Sequence, residues 1–461
     1  MFDPQSALTT RQRSEFERVS SMVGLRALWL FLILFVLTLL LSDHLWADEV
    51  DRDDDASAGG ELDFAALADR YVIERDRFYR EVENVTDPDA RIRAFAEHDP
   101  ANTMFNEFLD LERGHRGTKV GFSALYHLVS VAFASYGCDP AYPVSEAAHE
   151  ALQRLAEHYT GEPDLDVVFW WLSPGPCGDD ARALLERAAD SPHRHVRGAA
   201  LFTSADKLAN QAETLTMLGG LLDLTEDNPD QFQTERTNWI RLRETLGSID
   251  PDVARKSALR MFEQVAEEYG DILETPRFPD GLKLVNVERS GIDEISGRER
   301  RSLAELAEQK RSAITTLAIG QTAPEIDGPD AFGQQLKLSD HYGEVVVLMF
   351  SFKGCVPCEA MYPRNRELVK MYHDRPFRLL GVMGDEELAT VEEAVREEKI
   401  TWDVWWDGST QGPIHSRWNV ESWPEIYVLD HHGVIRYRKL RGELLAHAVA
   451  KLVAEAEKDF P

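Results

Sequence analysis

The chain has 461 residues, 43% of them hydrophobic, and a formal net charge of −31. That length leaves room for two or three domains, and so large an acidic excess excludes the basic face that nucleic-acid binding requires. The acidity reads most simply as solvated surface, and the four cysteines, Cys138, Cys177, Cys355 and Cys358, are few.

The N-terminus reads as a membrane element. Arg11, Arg13, Arg18 and Arg26 precede the run Ala27-Leu-Trp-Leu-Phe-Leu-Ile-Leu-Phe-Val-Leu-Thr-Leu-Leu-Leu41, and Met22 to Leu41 carries only the one charge of Arg26. Twenty helical residues rise about 30 Å, the thickness of a bilayer core. Residues 22–42 are therefore expected to form a transmembrane helix, with Trp29 and Trp46 near the two interfaces. The run is followed by Asp48-Glu-Val-Asp-Arg-Asp-Asp-Asp55. The positive-inside rule then leaves residues 1–21 as a cytoplasmic tail and puts the bulk of the chain on the outer side. The competing reading is a signal peptide cleaved after Ala47, although Leu45 is a poor residue three before a cut. Both readings export the protein, anchored in one and secreted in the other.

Residues 43–60 are acidic, end in Ala-Ser-Ala-Gly-Gly, and read as an extended linker. From 61 to 312 helical periods dominate, as in Leu62-Asp-Phe-Ala-Ala-Leu-Ala-Asp-Arg-Tyr-Val-Ile73 and Arg260-Met-Phe-Glu-Gln-Val-Ala-Glu-Glu-Tyr269, separated by turns such as Ser173-Pro-Gly-Pro. This predicts an all-α domain. Helix pairs hint at a solenoid, but no clean period emerges, and an irregular bundle is the simpler packing. His149, His158, His193 and His195 read as polar surface, and Asp166-Val-Val-Phe-Trp-Trp-Leu172 as core. Cys138 and Cys177 both lie beside Pro/Gly-rich turns. Export permits a structural disulfide between them, with two unpaired thiols in a helical core as the alternative.

The last third, 313–461, changes period. Val345-Val-Val-Leu-Met-Phe-Ser-Phe352 reads as a strand buried on both faces. It ends at Lys353-Gly-Cys355-Val-Pro-Cys358, and apolar residues at helical spacing follow to about residue 373. Cys355 is thus expected at a helix N-cap, with Pro357 in the first turn, where a missing N–H costs nothing. Unpaired backbone N–H groups and the helix dipole favour the Cys355 thiolate there, and Lys353 adds a positive charge. Cys358, one turn on, is the more buried and the natural resolving thiol. A zinc site is disfavoured, because no second Cys pair or His pair stands at ligand spacing, so no metal is expected. An inert structural disulfide remains as the other reading of the motif.

Taken with Gly320-Gln-Thr-Ala-Pro-Glu-Ile326, Leu338-Ser-Asp-His-Tyr-Gly343, Phe377-Arg-Leu-Leu-Gly-Val-Met383 and Trp418-Asn-Val-Glu-Ser-Trp-Pro-Glu-Ile-Tyr-Val-Leu-Asp430, this segment resembles the thioredoxin-like thiol-disulfide oxidoreductases of TlpA/ResA type. The resemblance implies a thioredoxin-like α/β domain, protein thiols and disulfides as partners, no cofactor, and a cis proline at Pro424 facing the cysteines. Trp423 and Pro424 would then present backbone to the substrate chain. The rest of the pattern fits: strands at 377–383, 403–406, 425–430 and 434–440, helices at 386–398, near 412–417 and at 443–457, and a hairpin at 324–338. Three positions depart from the family. Met349 stands where thioredoxins keep a buried acid, Gly354 where the family has Trp, and Met361 where ResA-type chains have Glu. Glu359 is adjacent, with a solvent-facing position as its simplest reading.

The whole is a multi-domain α+β chain: a transmembrane helix, an all-α domain and a thioredoxin-like domain. The leading expectation is an exported, membrane-tethered thiol-disulfide oxidoreductase. One rival is a peroxiredoxin-like thiol peroxidase, although the Thr or Ser and the Pro of that chemistry are replaced by Phe352 and Leu348. The other is a helical scaffold that binds a partner, with a degenerate redox domain. The topology is testable: a reporter active only outside the cytoplasm, fused after Pro461, is expected to be active. Activity of a cytoplasm-only reporter at the same site would overturn the orientation.

Overall fold

The computed structural model describes residues 55–459 apart from 136–142, 173–177, 248, 277–282, 288 and 293–297. The expected transmembrane segment 22–42, the tail before it, and both Cys138 and Cys177 lie outside the described residues. Among the described residues no helix is long and apolar enough to cross a membrane.

Two compact units emerge. The first comprises residues up to 207 together with 267–303; the second comprises 208–266 together with 304–461. The sequence reading divides the chain at 312/313, so the helical residues 208–266 and 304–312 group with the thioredoxin-like domain.

In the first unit the chain enters on α1 (Asp55–Val82). Residues 55–60, expected to be extended linker, form its first turns. Ala56 and Ala58 favour that outcome, against the helix cost of Gly59 and Gly60. There follow α2 (Pro88–His98), α3 (Pro100–Thr103), α4 (Phe105–Gly114), α5 (Lys119–Ser135), α6 (Pro143–His158), α7 (Asp166–Leu172) and α8 (Asp179–Ala188). α5 carries buried residues all round, Phe122, Leu125, Tyr126, Leu128 and Val129 among them, and so lies at the centre of the unit's core. Charges inside this core are paired. Glu112 accepts from Arg154 at 2.6 Å and Arg116 at 3.0 Å, and Asp166 accepts from Arg289 at 2.7 and 3.0 Å. His193 and His195, read as surface, are half-buried and bind the Gly161 and Pro163 carbonyls at 3.0 and 2.7 Å. They tie the start of α9 (Arg194–Leu224) to a turn.

α9 runs on into the second unit and is followed by α10 (Gln233–Thr245), α11 (Pro251–Tyr269) and α12 (Leu303–Thr316). The α/β part begins with the hairpin β1 (Asp327–Pro329) and β2 (Gln335–Lys337). It continues with β3 (Val345–Ser351), α13 (Val356–Glu359), α14 (Tyr362–Met371), β4 (Phe377–Met383), α15 (Leu388–Arg396), β5 (Asp403–Trp406), α16 (Pro413–Arg417), β6 (Glu425–Leu429), β7 (Ile435–Arg438) and α17 (Gly442–Asp459). The single helix expected at 356–373 is thus broken at 360–361, because Pro363 has no N–H to donate to the Glu359 carbonyl four residues back and instead starts a new segment.

The five-stranded sheet has the order β5-β4-β3-β6-β7. β3 runs parallel to β4 and antiparallel to β6. Every residue of β3 is buried. Val345, Val347 and Met349 face one core with Leu379, Val428, Leu445 and Leu452. Val346, Leu348 and Phe350 face another with Leu380, Trp405, Trp418 and Tyr427. The period of two places one apolar set on each face. Gly381 in β4 is required by close approach, since a Cβ there would stand 2.7 Å from a Val404 methyl.

Residues 208–224 of α9 belong to the first of these cores. Leu221 and Leu224 are buried with Tyr437, Leu440 and Leu445, and His447 binds the Leu224 carbonyl at 3.0 Å. Arg438 on β7 is the electrostatic pin. It donates to Glu213 at 2.7 Å and to Glu425 at 3.1 Å, and its guanidinium lies 4.7 Å from the Tyr427 ring centre. Removing one partner of a buried ion pair costs about 3–5 kcal/mol, because the other charge is left uncompensated. Arg438→Met is therefore expected to destabilise the second unit by that order, and adding Glu425→Gln to recover part of the loss. Amide exchange of β6 and β7 peptides would check it, and unchanged protection in Arg438→Met would refute it.

Candidate active site

The turn after β3 sets the geometry. Gly354 has φ of +87°, in the left-handed region where a side chain is strained. Glycine, with no Cβ, meets that backbone requirement at no steric cost. The reversal brings Cys355 to the N-cap of α13, with Pro357 in its first turn as expected. Cys358 N–H donates to the Cys355 carbonyl at 2.9 Å, and the two side chains form a disulfide. Cys358 is wholly buried and Cys355 is 5% exposed.

Glu359 does not simply face solvent. Its carboxylate folds back and accepts the Gly354 N–H at 2.9 Å, holding the turn. Lys353 splits its roles: its backbone N–H donates to Asp385 Oδ1 at 2.9 Å, while its ammonium pairs with Glu393 at 3.3 Å. That pair is exposed, so it screens the lysine charge without adding much stability.

Behind the cysteines the two missing acids are replaced by thioethers. Met349 Sδ accepts an N–H from the buried amide of Asn365 at 3.2 Å, and Met361 packs on the same core. Neither position can hold a proton. Ser351, at the end of β3, contacts the Tyr362 hydroxyl at 3.2 Å and donates to Met383 Sδ at 3.1 Å. Burial pushes the Tyr362 phenol up to about 12, so it stays neutral and serves only as a hydrogen-bonding group.

Trp423 and Pro424 are joined by a cis peptide bond, as the resemblance implies. The Trp423 ring lies 5.6 Å from that of Phe352, three residues before Cys355, and 6.1 Å from His415. The Pro424 carbonyl accepts from Arg441 at 3.3 Å.

Sequence reasoning missed Asp385, Asp407 and His415. Asp385 is 8% exposed and follows β4 directly. Burial raises its carboxyl above the ordinary range; the Lys353 amide, the Lys353 charge and His415 pull down, Glu359 pushes up, and the net effect is upward. Asp407 caps α16 through the Ile414 and His415 amides and binds His415 Nδ1 at 2.8 Å. One signal was readable: Asp385 and Asp407 each follow one of the parallel strands of the sheet at its carboxyl end, where α/β folds gather their chemistry. Away from this site, His431, His432 and Asp459 place possible ligand atoms within 4.8 Å of one another. His432 and Asp459 are exposed, and His431 Nε2 already binds Asp459 at 3.0 Å.

Residues 319–438 match the AhpC/TSA family. The chain is similar to the thiol-disulfide oxidoreductase ResA of Geobacillus kaustophilus (strain HTA426), 30% identical over 122 residues, which covers 26% of this chain and 69% of that protein. It is likewise similar to the thioredoxin-like protein YneN of Bacillus subtilis (strain 168), 30% identical over 118 residues, 25% of this chain and 68% of the other. Among solved structures, the thioredoxin domain of a thiol-disulfide oxidoreductase from Bacteroides vulgatus is 29% identical, covering 30% of this chain and 99% of that one with a TM-score of 0.28.

The burial difference has a consequence for labelling. In the reduced protein iodoacetamide is expected to modify Cys355 at least about tenfold faster than Cys358. Peptide mass spectrometry of a time course reads this; equal rates, or Cys358 first, would refute the assignment of Cys355 as the outer thiol.

Proposed function

This chain belongs to the ResA-type thioredoxin-like thiol-disulfide oxidoreductases, and we propose that it exchanges disulfides with protein substrates on the outer side of a membrane, to which residues 22–42 tether it. The observation that carries the reading is the Cys355–Cys358 disulfide across the first turn of a helix that begins where a fully buried strand ends. In the reduced protein the Cys355 thiolate attacks a substrate disulfide and forms a mixed disulfide, releasing one substrate thiol. Cys358 then attacks Cys355, closes the internal disulfide and releases the second substrate thiol. The reverse sequence oxidises a substrate dithiol. Trp423 and Pro424 offer backbone to the substrate chain, and Lys353 and Pro357 shape the turn. The reduction potential sets the direction, and this fold spans about −270 to −120 mV.

Thiol peroxidase chemistry has less support. Phe352 fills the place of the hydroxyl residue that would bind peroxide, and its ring packs on Trp423.

The test is a trap. Cys358→Ser removes the resolving thiol and leaves Cys355 at the helix start, so a mixed disulfide with a protein substrate is expected to accumulate in the native compartment. A Cys355 sulfenic acid formed only after peroxide would instead favour the peroxidase. The reading fails if no Cys355-linked protein forms and the purified wild type reduces no disulfide with a dithiol donor.

A further inference from the structure

A dithiol that opens and closes must give up and regain protons, and Met349 and Met361 can accept none. The charged groups around the turn are Lys353, Glu359, Glu393 and Asp385, flanked by the exposed Glu397–Lys399 pair, whose charges act on Lys353, Glu359 and Glu393. Lys353 and Glu393 are 59% and 52% exposed and spend their charges on each other at the surface. Glu359 is exposed and committed to the Gly354 amide. Asp385 differs from all three. It is buried, its Oδ1 holds the backbone of Lys353 two residues before Cys355, and its Oδ2 is buried without a hydrogen-bond partner among the described residues.

Two further ionisable groups stand behind it. His415 and Asp407 are completely buried side by side, and His415 Nε2, like Trp423 Nε1, has no partner among the described residues. The His415 ring edge lies against Gly384, next to Asp385, so closely that a Cβ there would stand 3.1 Å from Nε2. The neutral Tyr362 hydroxyl and the Trp406 indole, which donates to the Asp385 carbonyl at 2.7 Å, complete the polar surroundings. No backbone hydrogen-bonding need explains this arrangement, because a single oxygen of Asp385 already satisfies the Lys353 amide. Structural use alone would leave a desolvated carboxylate oxygen uncompensated, which is costly.

We propose that Asp385, with the buried Asp407–His415 pair behind it, is the carboxyl that sets the proton affinity of the Cys355–Cys358 dithiol in place of the absent acids. It is a positioning residue that acts through its charge; it forms and breaks no bond. In each turnover two electrons pass from the dithiol to the substrate disulfide, and the two thiol protons end on the two substrate thiols. Asp385 governs the pH at which those protons leave. An ionised Asp385 and a Cys355 thiolate are like charges at one turn, so ionised Asp385 makes the thiol hold its proton more tightly. A protonated Asp385 lifts that penalty. The two groups therefore titrate as a coupled pair rather than singly.

The inference rests on the thiol chemistry proposed above, but its test needs no protein substrate. The full chain is reduced, freed of reductant, and the rate of Cys355 alkylation by iodoacetamide is followed from about pH 3 to pH 10, a window that brackets ordinary carboxyl and thiol ionisation. The wild type is expected to show two ionisations. Asp385→Asn should show one, displaced downward by about 0.5–1 pH unit, so that Cys355 reacts roughly 3–10-fold faster between the carboxyl and thiol ionisations and at the wild-type rate at the acid end, where Asp385 is protonated. Asp385→Glu should restore the two-step profile. An Asp385→Asn profile that superimposes on the wild type overturns the assignment. So does a wild-type profile with a single ionisation, which decides the matter even if the Asn variant does not fold. A two-step wild-type profile abolished in Asp385→Asn, together with an empty Cys358→Ser trap, would sink the protein-substrate reading and leave the role of Asp385 standing.

Discussion

Burial of β3 on both faces is the constraint from which the rest follows. A strand with no solvent-facing side has one register and one direction available, because any slip would turn a packed residue toward the wrong core. Its end is therefore a fixed point, and the left-handed Gly354 converts that point into a helix start. The cysteines inherit their geometry from packing rather than from local flexibility. The same rigidity extends sideways: β4 and β6 are the immediate neighbours of β3, and Asp385 and Pro424 sit at their ends.

Electrostatics at this point differ from those of a chain with a buried acid under the cysteines. Here the sulfur of Met349 and the amide of Asn365 fill that volume, and a thioether is soft and apolar. The ionisable groups lie instead at the carboxyl ends of β4 and β5 and on the short helix α16 that follows. On the proposal above the field at the thiols arises from these elements; β5 carries Trp406, and Trp423, which precedes β6, packs near His415, so aromatic packing and charge placement share one structural layer.

Much of this was legible in the sequence. Continuous apolar runs marked β3 and β4, and strands at 377–383 and 403–406 appear with the expected bounds. The Cys-x-x-Cys spacing marked the helix start. What stayed hidden depended on contacts distant in sequence. The break at 360–361 comes from Pro363, yet its effect on a pattern that remains helical on both sides is not visible to periodicity. His415 reads as one polar residue on a short helix until Asp407, eight residues earlier, is folded against it. The attachment of residues 208–224 to the sheet depends on Arg438, more than two hundred residues later, and no local pattern reports such a pairing.

That attachment makes both units discontinuous along the chain. The first needs 267–303 to complete it, and the second begins at 208 but is finished only by strands and a helix that end at Asp459. During synthesis the first unit cannot close until a stretch belonging to the second has already emerged. The half of α9 that carries Leu221 and Leu224 must then wait, its apolar face uncovered, for most of the remaining chain. Closing so long a loop costs little more than closing a short one, so the arrangement is cheap at equilibrium. Its cost falls on the order of events, since an exposed apolar helix awaiting its sheet is a surface that a folding helper or a misfolded neighbour can reach first.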